Sequence, residues 1–201
     1  MNDADGRGGC AATSLEQAKT DLRRRIRDLR KAMNVDQRAW FSASIVDRLV
    51  ESGRLDGQTV SAFWPVGSEV DVRQALLQAI ATGGRAALPV IVARGRPLVF
   101  REWTPKGAMV KLGWLHEPPA KADLLSPTVL LTPLLAFDRQ GGRLGQGGGY
   151  YDRTLAALRS RGHVTAIGVA FAAQEVQKAP VDELDAPLDA VVTEKEWISC
   201  G

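Results

Sequence analysis

Apolar residues at Leu15, Ala18, Leu22, Ile26, Leu29 and Met33 recur at spacings of three and four, the period of one helix face, and Ser14 with Gln17 supplies a capping-box start. Asn34 with Gln37 repeats that signal, and Phe41, Ile45 and Leu49 carry a second helix to a stop at Gly53. From Thr59 the apolar runs shorten and alternate with helical stretches. The pattern predicts a strand over 59–64, a helix over 70–81, a strand over 85–92 broken by Pro89, and a strand over 98–103. A buried run over 128–135 follows, then a glycine-rich loop, a helix over 150–161, a strand over 164–171 and a short last strand over 189–192. No repeat or linker interrupts the series. It predicts the α/β class, as one domain over 14–201, with the small, polar residues 1–13 as a disordered tail.

At 201 residues, 45% hydrophobic and 24% charged, the chain can bury a substantial core and has an ordinary globular composition. Its first twenty residues lack the basic start and apolar core of a secretory leader, and no apolar run is long enough to span a bilayer. The two cysteines, Cys10 and Cys200, lie near opposite ends and suggest neither a disulfide framework nor a zinc site. A cytoplasmic protein that does not bind membranes is therefore expected. Charge changes the picture more. Residues 14–38 hold eight Lys or Arg against four Asp or Glu, a local +4, so the rest of the chain carries −1 of the +3 total. Basic character confined to one segment, with acids interleaved, argues against a general nucleic-acid binder.

The chemistry concentrates in GGRLGQGGGYYDR at 141–153. Two readings fit: a cradle that offers several bare main-chain N–H groups to phosphate, or a flexible strand-to-helix connection. The stretch is neither GxxxxGK[ST] nor GxGxxG. Arg143 and Arg153 favour the cradle, since a guanidinium pairs with phosphate oxygens. Asp152 either complements the helix dipole or, beside a phosphate, helps to hold Mg²⁺. A second carboxylate can come from VDELDAPLD, which holds Asp182, Glu183, Asp185 and Asp189, or that acidic segment is only solvated surface. Lys19, Arg23, Arg27 and Arg30 share one stripe of the first helix, beside its apolar seam, where they can meet a polyphosphate, although Arg27 and Arg30 can equally snorkel to water. Glu69 either faces a substrate at the sheet edge or, with Ser68, starts the next helix. Trp64, Trp103 and Trp114 fit core packing better than a pocket wall. His116 and His163 lack companions at ligand spacing and are assigned to neither metal nor acid–base work.

PLLAFDRQGGRLGQGGGYYDR, over 133–153, resembles the nucleotide-binding signature of the 5-formyltetrahydrofolate cyclo-ligase family nearly residue for residue. Weaker matches follow the same order along the chain: KTDLR, SEVDVR, LPV, HEP and the closing PVDELDAPLDAVVTE. The resemblance implies a single three-layer α/β domain with a mainly parallel central sheet flanked by helices. It also implies MgATP-dependent closure of 5-formyltetrahydrofolate, polyglutamylated or not, to 5,10-methenyltetrahydrofolate through a phosphorylated formyl group, by a monomer that needs neither nucleic acid nor membrane. Carried over by position, Lys19, Arg143 and Tyr151 would be catalytic. Lys19, Arg23, Arg143, Leu144, Gly145, Gln146, Gly147, Gly148, Gly149, Tyr150 and Tyr151 would contact ATP, and Glu69, Trp114 and Tyr151 the folate. Asp152 and Asp185 would hold Mg²⁺. The chain departs from the family pattern at Leu184, where the family often has His, and at Gln146, where an aromatic or basic residue is common.

Overall fold

The computed structural model describes residues 7–113 and 115–200, and for residues 7–13 and Leu115 it describes the backbone alone. Two helices open the chain, α1 (Arg7–Ala32) and α2 (Val35–Glu51). The backbone is already helical at Arg7, so Ser14 lies inside α1 and does not cap it; Ala11 and Ala12, strong helix formers, continue the helix upstream. Residues 1–6 of the expected tail lie outside the described residues. Asn34 does cap α2, accepting the Gln37 N–H at 2.7 Å. Gly53, at φ +64°, ends the helix by donating to the Val50 carbonyl at 3.0 Å.

The chain then alternates through β1 (Thr59–Ser61), α3 (Arg73–Ala81), β2 (Arg85–Val90) and β3 (Val99–Glu102). A hairpin of β4 (Val110–Leu112) and β5 (Leu115–Glu117) precedes β6 (Leu124–Leu125) and β7 (Val129–Pro133). A second small hairpin, β8 (Ala136–Phe137) and β9 (Arg143–Leu144), leads into α4 (Tyr150–Arg159), β10 (Thr165–Val169), β11 (Ala190–Val192) and β12 (Trp197–Ser199). The eight-stranded sheet has the order β12-β11-β10-β7-β1-β2-β3-β6. Its centre, from β11 to β2, is parallel, and β12, β3 and β6 add antiparallel edges. The α/β expectation holds. The sequence pattern misses β4, β5, β6, β8, β9 and β12, because a strand of two or three residues contains hardly one period of alternation.

Successive residues of the central strands bury themselves on opposite faces, as a sheet covered on both sides requires. Val129, Leu131, Ile167 and Val169 join Ile45 and Leu49 of α2 and Leu76 of α3 in one core. Leu130, Ala166 and Val191 face the other way, with Leu155 of α4. The result is three layers. Pro89 is tolerated within β2 because β1 and β2 part there: the Ala62 N–H donates to the Ala87 carbonyl, and the next bond of the ladder would need the N–H that Pro89 lacks.

The strand order also locates a cleft. From β1 the chain crosses to β2 on one side, and the later strand β7 takes the other, so the connections leaving β1 and β7 diverge and leave a crevice at their carboxyl ends.

Leu131 is fully buried on β7, whereas Leu112 on the β4–β5 hairpin is 55% exposed. Leu131→Ala should cost about 2–5 kcal/mol in urea denaturation, and Leu112→Ala about 0.5 kcal/mol or less.

Candidate active site

The crevice opens into a cavity of about 640 Å³, within the range that encloses a drug-sized ligand. Its basic wall is α1. Ile26 buries its side chain against Leu135, Ala136 and Leu144, so the α1 seam is fastened to the β8–β9 hairpin. That docking turns the adjoining stripe toward the loop that follows β9. Lys19, Arg23, Arg27 and Arg30 all line the cavity. Arg23 Nε donates to the Gly145 carbonyl at 3.1 Å, and Arg27 donates to the Gln146 side-chain oxygen at 2.8 Å. The cleft reading of the stripe is the one the structure adopts.

Asp138 shapes the hairpin turn. Buried, it accepts the N–H groups of Gln140 and Gly142 through Oδ1 and that of Ala179 through Oδ2, each at 2.9 Å. Its role went unread in the sequence, although an aspartate four residues before a glycine is a turn signal. Beyond β9 the glycine run bends with φ +101° at Gly147 and +60° at Gly149, both in the region that favours glycine. A Cβ on Gly147 would stand 3.3 Å from the Arg23 guanidinium carbon. Gly149 is the N-cap of α4 and offers no side chain, so the helix start stays open toward the cavity. Among the described residues, none of the N–H groups of Gly145, Gln146, Gly147, Gly148 and Gly149 donates a hydrogen bond. Arg153, expected as a phosphate ligand, instead braces the bend by donating to the Gly148 carbonyl at 2.6 Å.

The remaining polar residues form pairs. Lys19 is buried and donates to Asp182 at 2.6 Å and to Asp185 at 2.9 Å. Burial alone would lower the Lys19 pKa, but the two carboxylates outweigh it and the net shift is upward. Arg143 is buried as well, donating to Asp152 Oδ1 at 2.5 Å and to the Ala186 carbonyl. Burial pulls its pKa down against the support of Asp152 and Asp185. Asp152 Oδ1 also accepts the Ala186 N–H at 3.2 Å, and Asp185 Oδ2 that of Asp182 at 2.8 Å. Asp152 Oδ2 and Asp185 Oδ1 make no hydrogen bond among the described residues, so each carboxylate keeps an oxygen for a cation. The described residues contain no group of three or more His, Cys, Asp or Glu side chains able to hold a metal, so Mg²⁺ here would need phosphate oxygens and water to complete its shell. Of the four acids in the closing segment, only Asp185 lines the cavity.

Glu69 faces the cavity from the loop after β1 and does not start α3, whose N-cap is Val72. Its Oε2 accepts the Val66 N–H at 3.1 Å. Burial pushes its pKa up, while the Val66 N–H, the Arg30 charge and the Gln146 side chain pull the other way. Tyr151 lines the same space, its phenol pushed well above the ordinary range by burial and then by Glu69. The apolar wall includes Phe63, Trp64, Pro89, Ile91 and Leu98, with Trp64 5.7 Å from the His116 ring. Trp103 is buried in the core, as expected, whereas Trp64 is a pocket wall. Trp114, expected against the folate, lies outside the described residues. Sequence reasoning gave no role to His116, Glu117 or, individually, Arg30. All three line the cavity, and burial raises the Glu117 pKa. The HEP stretch was the available signal for the first two. Leu184 is 86% exposed and outside the cavity, whereas Gln146 lies inside it.

Comparison with known proteins points the same way. A family model described as the 5-formyltetrahydrofolate cyclo-ligase family matches residues 15–194. The chain is 35% identical over 181 residues to 5-formyltetrahydrofolate cyclo-ligase of Escherichia coli (strain K12), covering 86% of this chain and 98% of that protein. It is 31% identical over 197 residues to the protein of the same name from Mycolicibacterium smegmatis, covering 92% and 96%. Among solved structures, Aquifex aeolicus 5,10-methenyltetrahydrofolate synthetase superimposes with a TM-score of 0.76 at 26% identity, covering 90% of this chain and 92% of that one.

Two stability outcomes follow from the pairings. A carboxyl whose pKa is raised by folding lends stability below the ordinary glutamate range, and loses it as pH rises through the raised value. Glu69 therefore costs the fold stability at pH values above the ordinary glutamate range. Glu69→Gln should raise the melting temperature at pH 7, by about 2–4 °C for each ~1 kcal/mol relieved, and the gain should vanish below the ordinary glutamate pKa; a melting series across pH checks both. Asp152→Ala strands the buried Arg143 guanidinium and should cost about 3 kcal/mol in urea denaturation, while Asp152→Asn, which keeps an oxygen for Arg143, should cost far less.

Proposed function

The chain belongs to the 5-formyltetrahydrofolate cyclo-ligase family of enzymes, and on that premise we propose that it uses ATP to close 5-formyltetrahydrofolate into 5,10-methenyltetrahydrofolate, releasing ADP and phosphate. The observation that carries this reading is the union, in one cavity, of a bend whose N–H groups donate to nothing among the described residues, under a row of cations, with the half-buried Glu69 carboxylate and an aromatic wall. One half suits a triphosphate and the other a flat, amide-bearing ring.

An amide-like formyl oxygen is a poor leaving group. In the proposed sequence that oxygen attacks the γ-phosphorus, the bond to the β-phosphate oxygen breaks, and ADP departs. The formyl carbon is then held to N5 with phosphate as its leaving group. N10 attacks this carbon, loses its proton, and expels phosphate as the five-membered ring closes.

Little covalent chemistry is left to the side chains, so alignment and charge neutralisation carry the catalysis. The N–H groups of the glycine bend, with Lys19, Arg23 and Arg143, would hold the phosphates. Tyr150 and Tyr151, at the start of α4, would close over the nucleotide, with Tyr151 reaching the formyl group. Glu69 would anchor the folate ring, joined by Trp114. Asp152 and Asp185 would hold Mg²⁺, which supplies neutralisation of phosphate charge. Residues 14–201 would work as one domain and as a cytoplasmic monomer, on folate with or without a polyglutamate tail.

Incubation with 5-formyltetrahydrofolate should produce the absorbance of the methenyl product with MgATP and none without ATP. Folate left unchanged while ATP binds would refute the reading. Asp152→Asn should lower turnover by about 10²-fold, and Glu69→Ala should abolish folate binding while sparing that of ATP.

A further inference from the structure

Each basic side chain of the cavity wall but one has a protein partner. Lys19 has its two carboxylates, Arg23 the Gly145 carbonyl, Arg27 Gln146, and Arg143 both Asp152 and Ala186. Arg30 is the exception. It is only 6% exposed and lines the cavity, yet among the described residues its guanidinium makes no hydrogen bond, and its Nε is buried without a partner. Such a group carries an unrecovered desolvation cost unless a ligand supplies an acceptor.

Position decides which acceptor. Lys19 and Arg30 lie eleven residues apart on α1, roughly 16 Å along its axis. Lys19 marks the Asp182–Asp185 end, and Arg23 and Arg27 cover the glycine bend. Arg30 stands past the bend. The charge that supports it there is Glu69, which lines the same cavity and, among the described residues, makes no ion pair with it. A guanidinium offers only donors and a carboxylate only acceptors. The two side by side match a cyclic amide that carries an amino group, with one carbonyl to accept and neighbouring N–H groups to donate.

We propose that Arg30 is a specificity residue whose guanidinium donates to the ring carbonyl oxygen of the folate, while Glu69 accepts from the adjoining ring N–H and amino groups. This rests on the folate reading above. Replacing the ring carbonyl of 5-formyltetrahydrofolate by an amino group sets a donor against Arg30. Calorimetry with both compounds, in the presence of a non-hydrolysable ATP analogue, tests the assignment. Wild-type protein should prefer the carbonyl compound, and Arg30→Met should reduce that preference by about 10- to 100-fold while leaving the affinity for the ATP analogue within about twofold. Arg30→Lys, which keeps the charge and loses the planar fork, should give an intermediate preference and replaces the methionine variant if that fails to fold. An unchanged preference overturns the assignment, as does a loss of nucleotide affinity with folate affinity intact, which would make Arg30 a phosphate ligand. Wild-type protein that binds neither folate compound overturns the folate reading itself, and this proposal with it.

Discussion

The contact on which the rest of this structure depends is the seating of the α1 seam on the β8–β9 hairpin. Ile26 meets Leu135, Ala136 and Leu144 there, an area too small to rank with the two cores on either face of the sheet. Its importance is orientational. A helix clamped along one stripe has its neighbouring stripe aimed, and here the neighbouring stripe is basic. The cations owe their direction to an apolar contact and would disperse into water without it.

On the opposite side of the cavity the parallel strands impose a complementary requirement. The connections after β1 and β7 part at their carboxyl ends, and the loops that line the crevice each run from a buried strand to a packed helix, β1 to α3 and β9 to α4. Glu69 and the glycine bend can then be carried on irregular backbone without losing definition. Asp138 braces the hairpin turn that leads into the glycine bend, and Arg153 braces the bend itself. The site is a rigid frame with bare peptide at its centre.

Local chemistry was readable wherever its partner was close in the chain. The Asn34 cap and the Gly53 stop each use a residue three positions away, and both were visible in the sequence. The basic stripe was visible too, because helical periodicity places it relative to the seam. What the stripe touches was not. Arg23 finds its carbonyl 122 residues away, and Lys19 reaches Asp182 across 163. No short-range pattern encodes such meetings, and for that reason the individual condition of Arg30 stayed hidden. Arg153 misled for the opposite reason: a guanidinium near a glycine loop suggests phosphate binding, yet the nearest acceptor was the loop's own backbone. Trp64 became a wall of the cavity because β1 ends at Ser61 and the chain leaves the sheet toward the cleft.

Those same separations set an order of events during synthesis. A ribosome releases α1 well before its partners, so the helix waits through 122 residues for the carbonyl that holds Arg23, 119 for the side chain that holds Arg27, and 163 for the first of the carboxylates that neutralise Lys19. Closing so long a loop is entropically slow, and its ends are available only after most of the sheet between them has emerged. The cavity therefore lacks part of its wall until the Asp185 segment has been made. Emergence of the Asp185 segment, and not of the glycine signature, is the step that completes the cavity wall.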